Sequence, residues 1–305
     1  MCSDLVSSSV PPRKQFVNSR EVGEDIKNIQ SGISDAKMGI ETLKSDSHLN
    51  KVRKWLSPPD TSTNFNEAKK TRYPGTGSWF LKSQPFVEWK SGSRRHLWLR
   101  GLAGCGKTVL ASTILDDLNG AQADSCCFLY FFFAFSHEEK RHLDNMLRSL
   151  AFQLYAQFTD CHKVLDSLFA SHEDGQKQPT TDSLSKCVYT MMRLPKKVQI
   201  VLDALDECVG RNELLKWLKT LSNGELTNVQ LIATSRQEEE LESTLNEWIY
   251  DRDRVDIDRD AVNADIQSYV RARLEASGEY QRRWAARPSV LEEIESVVGG
   301  KAAGM

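Results

Sequence analysis

The residues best equipped for chemistry in this 305-residue chain form the octet Gly101-Leu102-Ala103-Gly104-Cys105-Gly106-Lys107-Thr108. Its fixed positions spell GxxxxGK[ST], and each residue type there answers a need of phosphate binding. Glycines at 101, 104 and 106 permit positive φ and close backbone approach, so successive amides can point into one concavity. A helix expected to open at the end of the octet, with Val109 in its first turn, adds the positive end of its dipole. Lys107 supplies a cation for β- and γ-phosphate oxygens, and Thr108 supplies a hydroxyl for Mg²⁺. The expected ligands are therefore a purine nucleoside triphosphate, ATP or GTP, and Mg²⁺.

Two further segments end where such a site needs polar groups. In Ile200-Val-Leu-Asp203-Ala204-Leu-Asp206-Glu207 an apolar strand delivers Asp203 to its C-terminal edge, the edge where ligands sit in open parallel sheets. Carboxylate oxygen suits a hard cation, so Asp203 is the expected Mg²⁺ partner, and Asp206 and Glu207 are candidates to orient water at the γ-phosphate. In Val229-Gln-Leu-Ile-Ala-Thr-Ser-Arg236 a second apolar strand ends at Arg236, whose guanidinium could tell a triphosphate from a diphosphate.

The elements that must position these groups alternate in type. His96–Arg100 reads as a strand. Thr108–Leu118 reads as a helix with Leu110, Ile114, Leu115 and Leu118 on one face and Gly120 just past its end. Cys126–Phe135 is a continuous apolar run suited to a strand buried on both faces. A long helix through Leu143 and Leu154 follows, then a second running up to Leu194. Strands at Val198–Asp203, Val229–Ala233 and Val255–Ile257 alternate with helical faces at 214–221 and 262–274. That order predicts an α/β fold with a parallel sheet flanked by helices. Upstream, Val22, Ile26, Ile29, Ile33, Ala36, Ile40 and Leu43 alternate spacings of four and three, which predicts a helical arm with a heptad stripe.

Bulk properties narrow the function classes. A net charge of −2 gives no generic attraction to nucleic acid or acidic lipid. The apolar run at Phe128–Phe135 is too short to span a bilayer, and the first residues lack the apolar core of a secretory signal. Neither nucleic acid nor a membrane is an expected partner, and scattered cysteines without zinc-ligand spacing point to a reducing, cytoplasmic setting. His48, His96, His137, His142, His162 and His172 form no nucleophile or metal constellation. Arg94-Arg95 reads as a solvated edge, and Tyr130–Phe133 as core.

Taken together, GLAGCGKT, LDALDE and ATSR resemble the NACHT class of STAND P-loop NTPases. The lead-in Gly75-Thr-Gly-Ser-Trp79, Phe86-Val-Glu-Trp89 and Leu97-Trp-Leu is similar to the nephrocystin-like NACHT modules of large fungal proteins, as are Tyr130-Phe-Phe-Phe and Met146-Leu-Arg-Ser-Leu150. The resemblance implies an ASCE-type five-stranded parallel sheet with the sensor strand between the P-loop and Walker B strands. It implies a base near Gly75–Trp79 and a nucleotide-gated signalling switch that self-associates through the core or the N-terminal helix. In longer members C-terminal repeats sense the trigger. Ala204 stands in the slot where related ATPases carry a catalytic Glu, which implies slow NTP hydrolysis.

The expected organisation is a tail at 1–20, a helical arm at 21–56, a linker with helices at 57–95, the nucleotide-binding core at 96–280, and the start of a further helical subdomain at 281–305. That last stretch ends without capping residues, so the sequence reads as part of a longer protein. Two other functions compete. A P-loop kinase would need an Arg-rich lid, and no such cluster is visible; a helical scaffold with a vestigial P-loop is opposed by intact Lys107, Thr108 and Asp203.

Overall fold

The computed structural model describes residues 46–120, 126–222 and 224–276, with isolated helical positions 27, 31, 34, 37, 290, 293 and 297. The heptad stripe from Val22 to Leu43, and residues 277–305 apart from three of those positions, lie outside the described residues. The chain divides into two compact units, Met1–Lys51 and Val52–Met305. Within the first unit residues 46–51 are helical (α1). All that follows concerns the second.

Strand β1 (His96–Arg100) lies between β4 (Val229–Ser235) and β5 (Arg254–Asp256), and β3 (Lys197–Asp203) lies between β4 and β2 (Cys126–Phe132). Every pairing is parallel. The order β2-β3-β4-β1-β5 puts β4 between the strands of the P-loop and of Asp203, as the family resemblance implies. The register explains the continuous apolar runs. All seven residues of β4, and six of seven in β3, are buried, because helices cover both faces of the central strands.

Helix α5 (Lys107–Gly120) follows the P-loop and packs into a core with Leu97 and Leu99 of β1. The same core takes in Phe80, Phe86 and Trp89 from two short helices, α3 (Ser78–Leu81) and α4 (Gln84–Ser91). Ser83 caps α4, its side chain accepting from the Phe86 amide, with Pro85 in the first turn and left-handed Gly92 at the end. An earlier helix, α2 (Ser62–Thr71), occupies part of the turn-rich lead-in. Beyond β2 the helices are α6 (Leu143–Gln157), α7 (His162–Ser171), α8 (Thr181–Met192), α9 (Arg211–Ser222), α10 (Glu239–Leu245) and α11 (Arg259–Ala276).

Several boundaries differ from expectation. Helix α5 begins at Lys107 and runs through Gly120 rather than ending before it. Strand β2 stops at Phe132; the Phe133 amide still donates to the Asp203 carbonyl, but the chain then turns and leaves Phe135 half exposed. One expected helix between α6 and β3 is two, α7 and α8, separated by a turn in which Glu173, Asp174 and Gly175 take positive φ. Arg94 and Arg95 are not a solvated edge. The Arg94 guanidinium pairs with Glu88 at 2.7 Å and Asp253 at 3.4 Å, and Arg95 donates to the carbonyls of Leu221 and Leu226. Phe131, Phe132 and Phe133 are core, as expected. The six described cysteines are all free, and no helix among the described residues is long and apolar enough to cross a membrane.

Candidate nucleotide site

The loop between Arg100 and Lys107 curls at Gly104 and Gly106, which take φ of 76° and 86°. Only glycine adopts such angles without a steric cost. Gly101 has a different reason to be glycine. Its backbone is ordinary, but a Cβ there would stand 2.5 Å from Cys105 Sγ and 3.3 Å from Ile257 Cδ1. The expectation of positive φ at all three glycines is thus corrected at Gly101, where close packing under the loop is what excludes a side chain.

The curl leaves donors unused. Among the described residues the amides of Gly104, Gly106, Lys107 and Thr108 have no hydrogen-bond acceptor, whereas the Cys105 amide reaches the Leu102 carbonyl. Unsatisfied amides at a helix start form a concavity suited to an anion. Lys107 folds back over the loop, its ammonium donating to the carbonyls of Gly101 at 3.0 Å and Leu102 at 2.7 Å. Phosphate oxygens would replace those weaker neutral acceptors.

Across from the loop sits Asp203, at the end of β3 and 1% exposed. Its Oδ2 accepts from the Thr108 hydroxyl at 2.7 Å, and its Oδ1 from the Thr234 hydroxyl at 2.6 Å. Burial pushes this carboxyl above its ordinary range, against the opposing pull of the two hydroxyls and the Lys107 charge. A hydroxyl and a carboxylate in contact, beside orphaned amides, form an oxygen donor set that fits Mg²⁺ held against a phosphate.

Ala204 then turns the chain left-handed (φ 57°, ψ 54°), its amide held by Thr234 Oγ1 at 3.0 Å. The 3-10 turn Leu205–Glu207 that follows brings Asp206 back toward β4. Asp206, 2% exposed, accepts from the Arg236 amide at 2.9 Å and pairs with Arg236 Nε at 3.2 Å. The Glu207 carboxylate accepts from the Phe135 amide at 2.8 Å. One hydrogen bond, from the Gly101 amide to the Ser235 carbonyl at 3.2 Å, joins the first residue of the loop to the residue before Arg236.

The structure therefore brings Gly101 through Val109, Asp203, Asp206, Glu207 and Arg236 to one edge of the sheet. Leu102 and Ala103 face outward on the loop's exposed side. Sequence reasoning assigns no role to Thr234. Its only signal was a hydroxyl residue at the end of an apolar strand, and the parallel neighbour that makes it matter is visible only in the register. Asp265 was missed as well; its carboxylate accepts from the amide of Gly77 and the indole of Trp79 at the far side of the loop.

This strand order, with an amide-lined loop after β1 and a buried carboxylate after β3, defines a P-loop nucleotide-binding module. The family described as Nephrocystin 3, N-terminal matches residues 75–236, a little over half of the sequence, and the chain belongs to it. The nephrocystin-like NACHT resemblance of the sequence motifs is thereby borne out. The vegetative incompatibility protein HET-E-1 of Podospora anserina is 23% identical over 209 residues, covering 65% of this chain and 15% of that protein. The chain thus corresponds to a small part of that relative's length. Among solved structures, Cdc6p from Pyrobaculum aerophilum aligns at 13% identity with a TM-score of 0.43, covering 66% of this chain and 51% of that one. The Aeropyrum pernix Orc1 protein, in complex with DNA, aligns at 16% identity and 0.40, covering 69% and 50%.

Proposed function

We propose that this module binds Mg·ATP or Mg·GTP at the Gly101–Thr108 loop and acts as a slowly hydrolysing, nucleotide-dependent switch for self-association. The observation that carries the reading is the Thr108–Asp203 contact beside four unsatisfied amides. Thr108 Oγ1 and the Asp203 carboxylate would hold Mg²⁺, which would supply charge neutralisation for the phosphates. Lys107 exchanges two carbonyls for phosphate oxygens. Arg236 is the γ-phosphate sensor, and Asp206 is its positioning residue, since that carboxylate is spent on Arg236. Glu207, with one amide partner, is the carboxylate left to orient water.

Slow turnover follows from the same geometry. Ala204 offers no base after Asp203, Asp206 is taken up by Arg236, and Glu207 is tethered by the Phe135 amide. A switch also needs two states. The bonds holding Lys107 and Arg236 in the present arrangement are ones that a triphosphate would break and replace. HET-E-1's name, that of a vegetative incompatibility protein, fits a signalling role for a longer chain of this kind.

The test is thermal melting of the purified chain with Mg·ATP and Mg·GTP, alone and as Lys107→Ala. Ligand at a hundredfold excess over Kd should stabilise the wild type by about 2.7 kcal/mol and leave the variant unshifted. No shift of the wild type with either nucleotide overturns the reading. Multiple rapid turnovers by the wild type would overturn the slow-switch part alone.

A further inference from the structure

We infer that the base bound by this module is guanine and that Asp265 is the residue that selects it, a reading that rests on nucleotide binding at the loop. A cavity of about 200 Å³ opens against Gly104, Cys105 and Gly106. It runs between the Thr76–Trp79 segment, the first turn of α5, and one face of α11 carrying Val262, Ile266 and Tyr269. Phosphates seated on the amides of residues 106–108 leave the nucleoside to extend into this space. Leu110, Ile257, Val262 and Ile266 make its walls apolar, as a planar ring system requires.

Two side chains of charged type, Arg72 and Asp265, border the cavity. Arg72 is committed elsewhere, to Asp116 and to Thr113 Oγ1. Asp265 is not. Its Oδ2 accepts from the Gly77 amide at 2.8 Å and from Trp79 Nε1 at 3.2 Å, while Oδ1 accepts nothing among the described residues. Those bonds fix the carboxylate's position and occupy both the Gly77 amide and the Trp79 indole N–H. Gly77 can present its amide there because it sits at φ 77° with Leu110 Cδ1 3.0 Å from where a Cβ would be.

A carboxylate offers only acceptors, so the edge it reads must bring donors. Guanine carries N1–H and an N2 amino group side by side, matching the two oxygens of the carboxylate. Adenine brings one donor, the N6 amino group, and sets its N1 lone pair against the second oxygen. A polar site left half paired discriminates strongly against the wrong ligand.

The experiment is binding of Mg-loaded GTP, ITP, XTP and ATP to the full chain by calorimetry, with wild type and Asp265→Asn. For the wild type, GTP should bind at least about 10-fold tighter than ATP, with ITP, which lacks the N2 amino group, in between. In Asp265→Asn the GTP preference should fall by about 10-fold or more and XTP should gain, because the amide donates to the xanthine O2. Equal or tighter binding of ATP by the wild type overturns the base assignment while leaving nucleotide binding intact. An unchanged order in a folded Asp265→Asn removes Asp265 from the role. Should that variant fail to fold, the wild-type series over four bases still decides guanine. Failure of the wild type to bind any of the four overturns the underlying reading as well.

Discussion

Thr234 and Asp203 meet at 2.6 Å at the ends of adjacent parallel strands, both wholly or almost wholly buried. The hydroxyl donates to the carboxylate and accepts from the amide of Ala204, so one side chain fixes both the Asp203 carboxylate and the left-handed turn behind it. Each β-strand contributes one of the two groups, and the sheet itself sets their separation.

Burial disfavours the charged form of Asp203. Replacing it with Asn should raise the nucleotide-free melting stability by on the order of 1 kcal/mol, because an ionised carboxylate is costly to bury. The same change should abolish the Mg²⁺-dependent part of nucleotide stabilisation. Melts with and without Mg²⁺ and triphosphate check both halves; a destabilised Asp203→Asn protein that still responds to Mg²⁺ contradicts them.

The pH dependence of that site has a definite sign. A carboxyl whose folded pKa is raised contributes stability that is complete below its unfolded value, 3.8, and is lost as pH rises through the higher folded value. Mg²⁺ needs the deprotonated form, so Mg·nucleotide affinity should weaken as pH falls into the raised range. Titrating Mg²⁺ across pH at fixed nucleotide measures it, and Asp203→Asn should flatten the profile.

His96 pulls the other way. It is buried edge-on against Trp248 with ring centroids 5.5 Å apart, and burial lowers its pKa from 6.5 to about 4. Its folded pKa is depressed, so the contribution is present above pH 6.5 and is lost as pH falls toward 4, by about 3 kcal/mol at most. Melting temperature against pH should lose this acid-side slope in His96→Leu.

Gly101→Ala tests the packing beneath the loop. The added methyl must push Cys105 Sγ away from 2.5 Å, which should destabilise the chain by about 1–3 kcal/mol and weaken nucleotide binding. Adding Cys105→Ala should recover most of both losses. If the double variant is as impaired as the single one, the thiol contact is not the reason for glycine here.

Asp206→Ala should cost about 2 kcal/mol, since it strips partners from the Arg236 amide and guanidinium. Arg236→Gln should keep the fold and instead reduce the preference for triphosphate over diphosphate by about 10-fold. Competition binding with the two nucleotides separates the effects.

The elements that sequence made visible are those whose signals are local. The P-loop residues, the apolar runs of β3 and β4 and the leucine face of α9 each announce themselves within a dozen positions. Long-range placement was legible only through the family resemblance, which put β4 between β1 and β3. What escaped depends on tertiary partners. Asp206 reads as an acidic residue after a strand, and nothing nearby in sequence reveals that Arg236 consumes it. Gly101 reads as a backbone need, although its neighbour four residues on is what excludes a side chain. Asp265 sits on a polar helix, and its tie to Gly77, 188 positions away, has no signature along the chain.

The single bond from the Gly101 amide to the Ser235 carbonyl has a mechanical corollary. Arg236 hangs from the next peptide, so any swing of its backbone tugs the hinge from which the anion cup is suspended. In the proposed switch, loading the cup and releasing the arginine would be two readouts of one lever, so a lesion in either should mute both.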